Sequence, residues 1–329
     1  MVVRFRTTAG WKKDPAMAVL VAALVLVVTS SAIAQLSETA SWAATLSRQY
    51  RITSGITYFT AENWEAKLDV YQPKYAAKPT PTLIFFHGGG WAGMDRTRTS
   101  LLTLPYLEMG LAVVNVDYRL TRVSRAPGAV EDCRCALRWV IANAKDYNFD
   151  TERIVVSGIS AGAHLALTTG MLPASAGFDQ QCPTCFQWKC RADEEMKVAA
   201  IISWFGITDV GDLLKEPNVR VYALAWVGGT PDRAETATRV SPLTYTRPGL
   251  PPILTIHGDM DPSVPYSHAT RLHEALTKAG VPNKLATIKG GKHGGFTLEE
   301  TLGAHSTIRN FLTEHHVLNP AMTSKNSHR

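Results

Sequence analysis

A serine between two glycines is the first feature of the sequence that could do chemistry. Gly158-Ile159-Ser160-Ala161-Gly162 matches the pattern G-x-S-x-G, with the apolar run RIVVSG leading into it and helix-forming residues after it. This strand–turn–helix setting is the one in which the pattern exposes a serine hydroxyl. The first turn of a helix also favours developing negative charge. We therefore predict that Ser160 is a nucleophile rather than part of a structural turn.

A run of three glycines supplies a second element of the same chemistry. It lies in HGGGW, His87 to Trp91, directly after a predicted strand. The backbone N–H groups of Gly89 and Gly90, with that of Ala161, predict an oxyanion hole, because glycines let the backbone approach a ligand oxygen. We expect His87 to orient the loop rather than act as a base. For Trp91 two roles stay open: it lines the substrate pocket, or it packs beneath the loop.

A serine nucleophile needs a base, and the base needs an acid to orient it. His293 fits best, because it follows the predicted strand NKLATIKG and precedes the last helix. His164 lies one helical turn after Ser160 and is predicted to be a packed helix residue. The segment HGDMDPSVP offers Asp259 and Asp261, and spacing alone does not choose between them. The other histidines on predicted helices are expected on solvated faces: His268, His273, His305, His315 and His316.

The elements that must position these residues alternate between strand and helix. From about Ile56 onwards, continuous apolar strands are separated by helical patterns, among them 97–109 and 127–147, of which the second is the clearest. This alternation is typical of a mostly parallel sheet covered by helices on both faces, and the first two strands could form a hairpin. Segments 173–197 and 207–247 interrupt the alternation, and we predict that they form short lid-like insertions.

Six motifs in this order resemble one known family: LDVYQP, HGGGW, DYRL, GISAGAHLA, HGDMDPSVP and KHGGF. They are similar to those of α/β-hydrolase esterases of the acetyl esterase and bacterial feruloyl-esterase-like group, which is related to hormone-sensitive lipase. The resemblance covers about 56–318 and implies the α/β-hydrolase fold with a Ser-His-Asp triad. It also implies that the acid is the aspartate just before Pro-Ser-Val-Pro, here Asp261, with Asp259 in reserve. Asp117 and Asp132 match family positions that are expected to be scaffold.

The N-terminal residues have the pattern of an export signal. Basic residues precede the apolar run 16–28, and Ala32-Ile33-Ala34 provides a cleavage pattern before Gln35. The run is short for a membrane span, although an uncleaved anchor stays open. We predict a signal peptide at 1–34, an N-terminal segment at 35–55, a catalytic domain at 56–318 and a flexible tail at 319–329. The mature protein would be secreted or periplasmic, without a membrane anchor.

Because the predicted signal would export the protein, its five cysteines are expected to lie in an oxidising compartment, where disulfides form. Cys133 and Cys135 lie two apart on a predicted helix, so they point in different directions and do not pair with each other. Cys182, Cys185 and Cys190 are clustered, and one local disulfide is expected among them. No fourth ligand for a zinc site is evident.

Composition excludes several classes of function. The 329 residues are 45% hydrophobic, and 34 basic residues face 28 acidic ones. Since no arginine-rich stripe with interleaved aromatics occurs, we expect no nucleic-acid partner. No metal or organic cofactor is implied, and the sequence does not fix the oligomeric state.

These features predict a secreted serine ester hydrolase. Its substrate would be a small-molecule or oligosaccharide ester of the short-chain or plant-cell-wall type, carrying acetyl or feruloyl groups. Three alternatives stay open: an amidase of the kynurenine-formamidase type, a prolyl-oligopeptidase-like serine peptidase, and a catalytically inactive domain used for binding.

Overall fold

The computed structural model describes residues 37–182, 196–229 and 231–320. The predicted signal peptide, Cys185, Cys190 and nearly all of the predicted tail lie outside the described residues. The chain divides into two units, Met1–Arg48 and Gln49–Arg329. In the first unit the described residues belong almost entirely to helix α1 (Glu38–Gln49).

The second unit is built on one eight-stranded sheet. Its strands are β1 (Tyr50–Ala61), β2 (Trp64–Pro73), β3 (Thr80–Phe86), β4 (Ala112–Val116), β5 (Phe149–Ile159), β6 (Ala200–Trp204), β7 (Ile253–Gly258) and β8 (Asn283–Ile288). Their spatial order is β1-β2-β4-β3-β5-β6-β7-β8. The first two strands form the predicted antiparallel hairpin, β2 also runs antiparallel to β4, and every other pair is parallel. The sheet begins at Tyr50, inside the segment predicted to precede the domain.

Helices flank this sheet. They are α2 (Leu104–Glu108), α3 (Gly128–Ala142), α4 (Ala144–Tyr147), α5 (Ala161–Met171), α6 (Val221–Val227), α7 (Arg233–Arg239), α8 (Ser267–Lys278) and α9 (Leu298–Glu314). Every residue of β4, β6 and β7 is buried, which requires cover on both faces of the sheet. The α/β-hydrolase architecture predicted from the motifs is therefore present. No helix among the described residues is both long and apolar enough to cross a membrane.

Two predicted helices have different boundaries in the structure. The helix expected at 127–147 divides at Asn143, whose side-chain amide donates to the Trp139 carbonyl that its own backbone N–H also contacts. A side chain that competes for the helical acceptor in this way weakens the helix at that point. The helix expected at 97–109 begins as the 3₁₀ segment Arg96–Thr103 and becomes α-helical only at Leu104.

A disulfide attaches the start of the first insertion to the fold. Cys182 pairs with Cys135 on α3, so the expected local disulfide is wrong as far as Cys182 is concerned. Arg134, one residue before Cys135, donates to both carboxylate oxygens of Asp179 inside the protein. The buried ion pair and the disulfide together hold the described part of 173–197 against α3. Cys133 has a free thiol in the core.

The second insertion is folded rather than extended. Its described residues contain α6, α7 and two 3₁₀ segments, Asp212–Leu214 and Pro242–Tyr245. Trp226 of α6 is fully buried, so this insertion contributes to the core as well as to the surface.

Candidate active site

Ser160 lies in a strained turn between β5 and α5. Its backbone has φ 54° and ψ −119°, a region that residues with a side chain rarely adopt. A Cβ on Gly158 would lie 2.5 Å from the Phe86 carbonyl oxygen, and one on Gly162 would lie 2.1 Å from the same atom. The two glycines are therefore required by close contact between backbones. The turn lifts the serine hydroxyl above the carboxyl end of the sheet.

The structure brings Ser160, His293 and Asp261 into one hydrogen-bonded chain. The Ser160 hydroxyl lies 2.8 Å from His293 Nε2, and His293 Nδ1 lies 2.7 Å from Asp261 Oδ2. These contacts suit a neutral imidazole that donates to the carboxylate and accepts from the hydroxyl. The three residues follow β5, β7 and β8, so parallel strands deliver them to one edge of the sheet.

Asp261 is held by more groups than His293. Its Oδ1 accepts the backbone N–H groups of Ser263 at 2.8 Å and Val264 at 2.9 Å, and His257 Nε2 lies 3.2 Å from its Oδ2. Burial alone would raise the pKa of Asp261. The hydrogen bonds from His257, His293 and Val264 outweigh burial and hold the pKa well below its usual range. The Asp261 carboxylate is therefore ionised at neutral pH.

Asp259, the reserve candidate for the acid, has a different position. Its Oδ1 accepts the backbone N–H of Gly290 at 2.6 Å, and its Oδ2 lies 3.2 Å from Lys289 Nζ. The side chain thus fastens the turn after β8 instead of contacting His293. Asp261, and not Asp259, therefore forms the hydrogen bond with the His293 imidazole.

The glycine loop faces the serine from β3. Gly89 has φ 101° and Gly90 has φ 60°, and a Cβ on Gly89 would lie 2.2 Å from the Gly93 carbonyl oxygen. Among the described residues, no acceptor takes the backbone N–H of Gly89, Gly90 or Ala161. Free N–H groups beside a nucleophile are what an oxyanion hole needs.

His87 supports this loop from within, as expected. Its ring stacks on Tyr118 with centres 4.2 Å apart, and the Tyr118 hydroxyl donates to the His87 carbonyl at 2.8 Å. Burial lowers the pKa of His87, so the ring stays neutral while Nδ1–H donates to the Gly88 carbonyl at 2.8 Å.

Of the two roles left open for Trp91, the structure shows the second, packing beneath the loop. The side chain is fully buried and stacks on Trp226 with ring centres 4.0 Å apart. Its indole N–H donates to His164 Nδ1 at 3.2 Å, and His164 Nε2–H donates to the Val240 carbonyl at 2.7 Å. His164 is therefore a packed helix residue, as predicted, and burial lowers its pKa to about 4.

Asp117 and Asp132 lie in the scaffold, as the resemblance implied. Asp117 accepts the backbone N–H of Arg96 at 2.7 Å, and Asp132 binds Arg119 inside the protein. Neither carboxylate contacts the serine or the imidazole.

A cavity of about 660 Å³ opens above Ser160 and His293. Apolar and aromatic side chains form most of its wall, with the glycine loop on one side. Phe205 packs edge-on against His293, with ring centres 4.8 Å apart. Tyr222 of α6 also lines the cavity, so the second insertion supplies part of the wall. The volume is in the range of pockets that bind small molecules.

Sequence reasoning missed several residues of this site, and four of them contact the triad or line the cavity from different elements. These four are His257, Phe205, Tyr222 and His305. His257 is the next-to-last residue of β7, four residues before Asp261, and this short spacing across a turn could have indicated contact. No local pattern marks the other three, because they reach the cavity only through tertiary packing. The solvated faces expected for three helix histidines are wrong, since His268 and His273 are buried and His305 lines the cavity.

Among the residues that the structure describes, no group of histidine, cysteine, aspartate or glutamate side chains is arranged to hold a metal ion.

Residues 68–276 match the BD-FAE family model over more than half of the chain. The chain belongs to the BD-FAE family. Two esterases of Mycobacterium tuberculosis are related to this BD-FAE member. Esterase LipC is 29% identical over an alignment that covers 64% of this chain and 51% of LipC. Carboxylesterase NlhH is 29% identical over an alignment that covers 73% of this chain and 75% of NlhH. The chain thus spans about half the length of LipC.

Solved structures give the same result for the fold. The propionate-bound Est2 esterase of Thermogutta terrifontis superimposes with a TM-score of 0.67 at 26% identity, covering 83% of this chain and 96% of Est2. The BD-FAE member therefore shares the α/β-hydrolase fold of a thermophilic esterase over nearly the whole length of that enzyme.

Proposed function

We propose that the protein hydrolyses carboxylic esters through an acyl-enzyme on Ser160. The observation that carries the proposal is the hydrogen-bonded chain from Ser160 through His293 to Asp261 at the base of an apolar cavity. The carboxylesterases among its relatives support the same activity.

The reaction begins when the Ser160 oxygen attacks the ester carbonyl. His293 Nε2 takes the hydroxyl proton as the new C–O bond forms, and Asp261 stabilises the imidazolium through Nδ1–H. The negative charge on the former carbonyl oxygen is received by the N–H groups of Gly89, Gly90 and Ala161. When the C–O bond to the alcohol breaks, His293 returns its proton to the leaving oxygen.

Water completes the cycle through the same groups. His293 takes a proton from water as it attacks the acyl-enzyme, and the oxyanion site again holds the charge. The ester bond to Ser160 then breaks, and Ser160 recovers its proton from the imidazolium. No group outside the chain of three residues and the backbone N–H groups is required for either half.

We further propose that the enzyme works outside the cytoplasm on short-chain or plant-cell-wall-type esters with acetyl or feruloyl groups. The disulfide between Cys135 and Cys182 supports an oxidising compartment, as does the signal-like pattern at 1–34. A cavity of about 660 Å³ has room for either acyl group.

The test is hydrolysis of nitrophenyl acetate by the wild-type protein and by Ser160→Ala. Loss of the nucleophile should lower turnover by at least about 10⁴-fold. Ser267→Ala, an exposed serine at the start of α8, is the matched control and should keep full activity. Unchanged turnover in Ser160→Ala would disprove the mechanism. A panel of nitrophenyl esters of increasing chain length, with methyl ferulate and acetylated xylan, then tests the substrate class, and a preference for long acyl chains would contradict it.

A further inference from the structure

One side chain that lines the cavity has a buried polar atom with no hydrogen-bond partner among the described residues. It is His305, on the face of α9 that lines the cavity. Its ring meets Tyr106 edge-on with centres 5.6 Å apart, and its centre lies 5.3 Å from that of Trp204. We call His305, Tyr106 and Trp204 the aromatic arm.

The other polar groups along the aromatic arm are already satisfied. The Trp204 indole N–H donates to the Tyr106 hydroxyl oxygen at 3.0 Å, and the Tyr106 hydroxyl also lies 3.5 Å from the Ser157 hydroxyl. Thr301 lies one helical turn before His305 and also lines the cavity, but its hydroxyl donates to the Thr297 carbonyl at 2.8 Å. On this wall of the cavity, His305 is therefore the residue that can still form a hydrogen bond with a ligand.

The state of the His305 ring follows from its surroundings. Burial lowers its pKa to about 4, so at neutral pH the ring is uncharged and carries a single N–H. Nδ1 is buried without a partner, and an unpaired buried acceptor is tolerated better than an unpaired buried N–H. The proton therefore belongs on Nε2, the ring nitrogen that is not among the buried unpaired atoms.

The aromatic arm lies near the nucleophile, because Ser160 lines the same cavity as the three residues of the arm. Trp204 is the last residue of β6, and its carbonyl accepts the backbone N–H of Ser160 at 2.9 Å. A planar group attached to the ester can thus lie along Trp204 and Tyr106, since aromatic faces and edges attract one another. Its far end would meet the imidazole.

We propose that His305 determines specificity: its Nε2–H binds an oxygen substituent on an aromatic part of the ester that lies along the aromatic arm. The inference rests on the proposed ester hydrolysis. It adds a recognition site for a second oxygen atom, remote from the scissile bond.

The test compares methyl phenylpropanoate with its ring-hydroxylated derivatives. Because a neutral hydrogen bond contributes modestly, the wild-type protein should prefer the best hydroxylated ester by roughly three- to tenfold in kcat/KM. His305→Phe keeps an aromatic ring but lacks the N–H, so this ratio should fall to about one. His305→Gln supplies an amide N–H, so the ratio should recover in part.

Three results would overturn the assignment. The first is an equal kcat/KM for both classes of ester in the wild type, and the second is an unchanged preference in His305→Phe. The third is an equal loss of kcat/KM on every ester, including ethyl acetate, in both variants. The last result would mark His305 as a packing residue only. Failure of the underlying hydrolysis is recognised separately, because Ser160→Ala would then hydrolyse ethyl acetate as fast as the wild type.

Discussion

In the floor of the cavity, formed by the turn 158–162 and the loop 87–91, backbone packs directly on backbone. A Cβ at Gly162 would lie 2.1 Å from a carbonyl oxygen of β3, and one at Gly89 would lie 2.2 Å from the Gly93 carbonyl. The walls are different, because side chains such as Tyr222 and His305 reach the cavity from α6 and α9. The floor therefore tolerates almost no substitution, whereas the walls can change while the fold is kept. We therefore expect substitutions in the floor to affect catalysis or folding, and substitutions in the walls to affect substrate preference.

The largest effect should come from the carboxylate that completes the floor. Asp261→Asn replaces an ionised acceptor with an amide that cannot stabilise an imidazolium, so kcat on nitrophenyl acetate should fall by about 10³–10⁴-fold. Asp259→Asn makes the same chemical change two residues earlier, at a carboxylate that contacts Gly290 and Lys289, and should keep kcat within about twofold. A larger loss in Asp259→Asn than in Asp261→Asn would show that the acid is misassigned.

The second effect is on folding. Gly162→Ala places a methyl group against backbone that cannot move aside, and should lower the free energy of unfolding by about 2–3 kcal/mol or more. Gly303→Ala, on the exposed face of α9 with no atom within 4 Å of the new methyl group, should raise it by about 0.5–1 kcal/mol. Urea denaturation measures both, and equal changes in the two variants would contradict a floor built by close backbone contact.

The contrast between floor and walls explains what could be predicted from the sequence. Ser160, the glycine loop and His293 were predictable because a strained turn and a backbone contact demand glycine at fixed positions nearby. Phe205 and His305 were not, since their roles arise from the packing of α9 and β6, which no local spacing reports. Trp91 was ambiguous for the same reason, because a tryptophan after a glycine loop can point either way until its partner Trp226 is known.

The pairing of Cys182 with Cys135 shows the same limit at long range. The cluster 182–190 favours a local bond on spacing alone, but the partner is 47 residues away in sequence. It becomes a neighbour only when α3 packs beside the insertion. By contrast, the order of strands and helices follows from apolar runs that each segment carries itself, so most of the sheet was predictable.

The third effect concerns the support beneath the floor. The pKa of His164 is lowered to about 4 in the native state, against 6.5 for an ordinary histidine. Between pH 6.5 and 4 the unfolded chain therefore binds a proton that the native protein excludes, so stability falls as pH falls through this window. For a fully buried ring the loss amounts to about 3 kcal/mol at most.

Thermal unfolding from pH 7 to pH 4 measures this dependence. His164→Gln keeps a donor for the Val240 carbonyl but cannot take up a proton in this range, so Tm should decline less steeply with falling pH than in the wild type. The buried His87, His268, His273 and His305, whose pKa values are also lowered, add to this slope, whereas Asp132, whose pKa burial raises to about 6, opposes it. A slope unchanged in His164→Gln would contradict the assignment.

The smallest effect should come from a wall residue that also contacts the floor. The Tyr222 hydroxyl donates to the Ser263 carbonyl at 3.0 Å, and the N–H of Ser263 donates to Asp261 Oδ1. Tyr222→Phe removes one hydrogen bond, but Arg220 Nε also donates to this carbonyl at 3.0 Å, so the loop should loosen only slightly. We expect a decrease of about 1 kcal/mol in stability and a several-fold loss of kcat with KM nearly unchanged.

Tyr245→Phe is the matched control for this change. Its hydroxyl donates to the Arg239 carbonyl at 2.8 Å in the same insertion, but it does not line the cavity. The control should therefore lose a similar amount of stability and no kcat. If both variants lose kcat equally, the insertion affects catalysis only through its overall stability. If only Tyr222→Phe loses kcat, then the hydrogen bond from Tyr222 to the Ser263 carbonyl helps to position Asp261. In that case a wall residue contributes to catalysis, and Ser263 connects the wall to the floor.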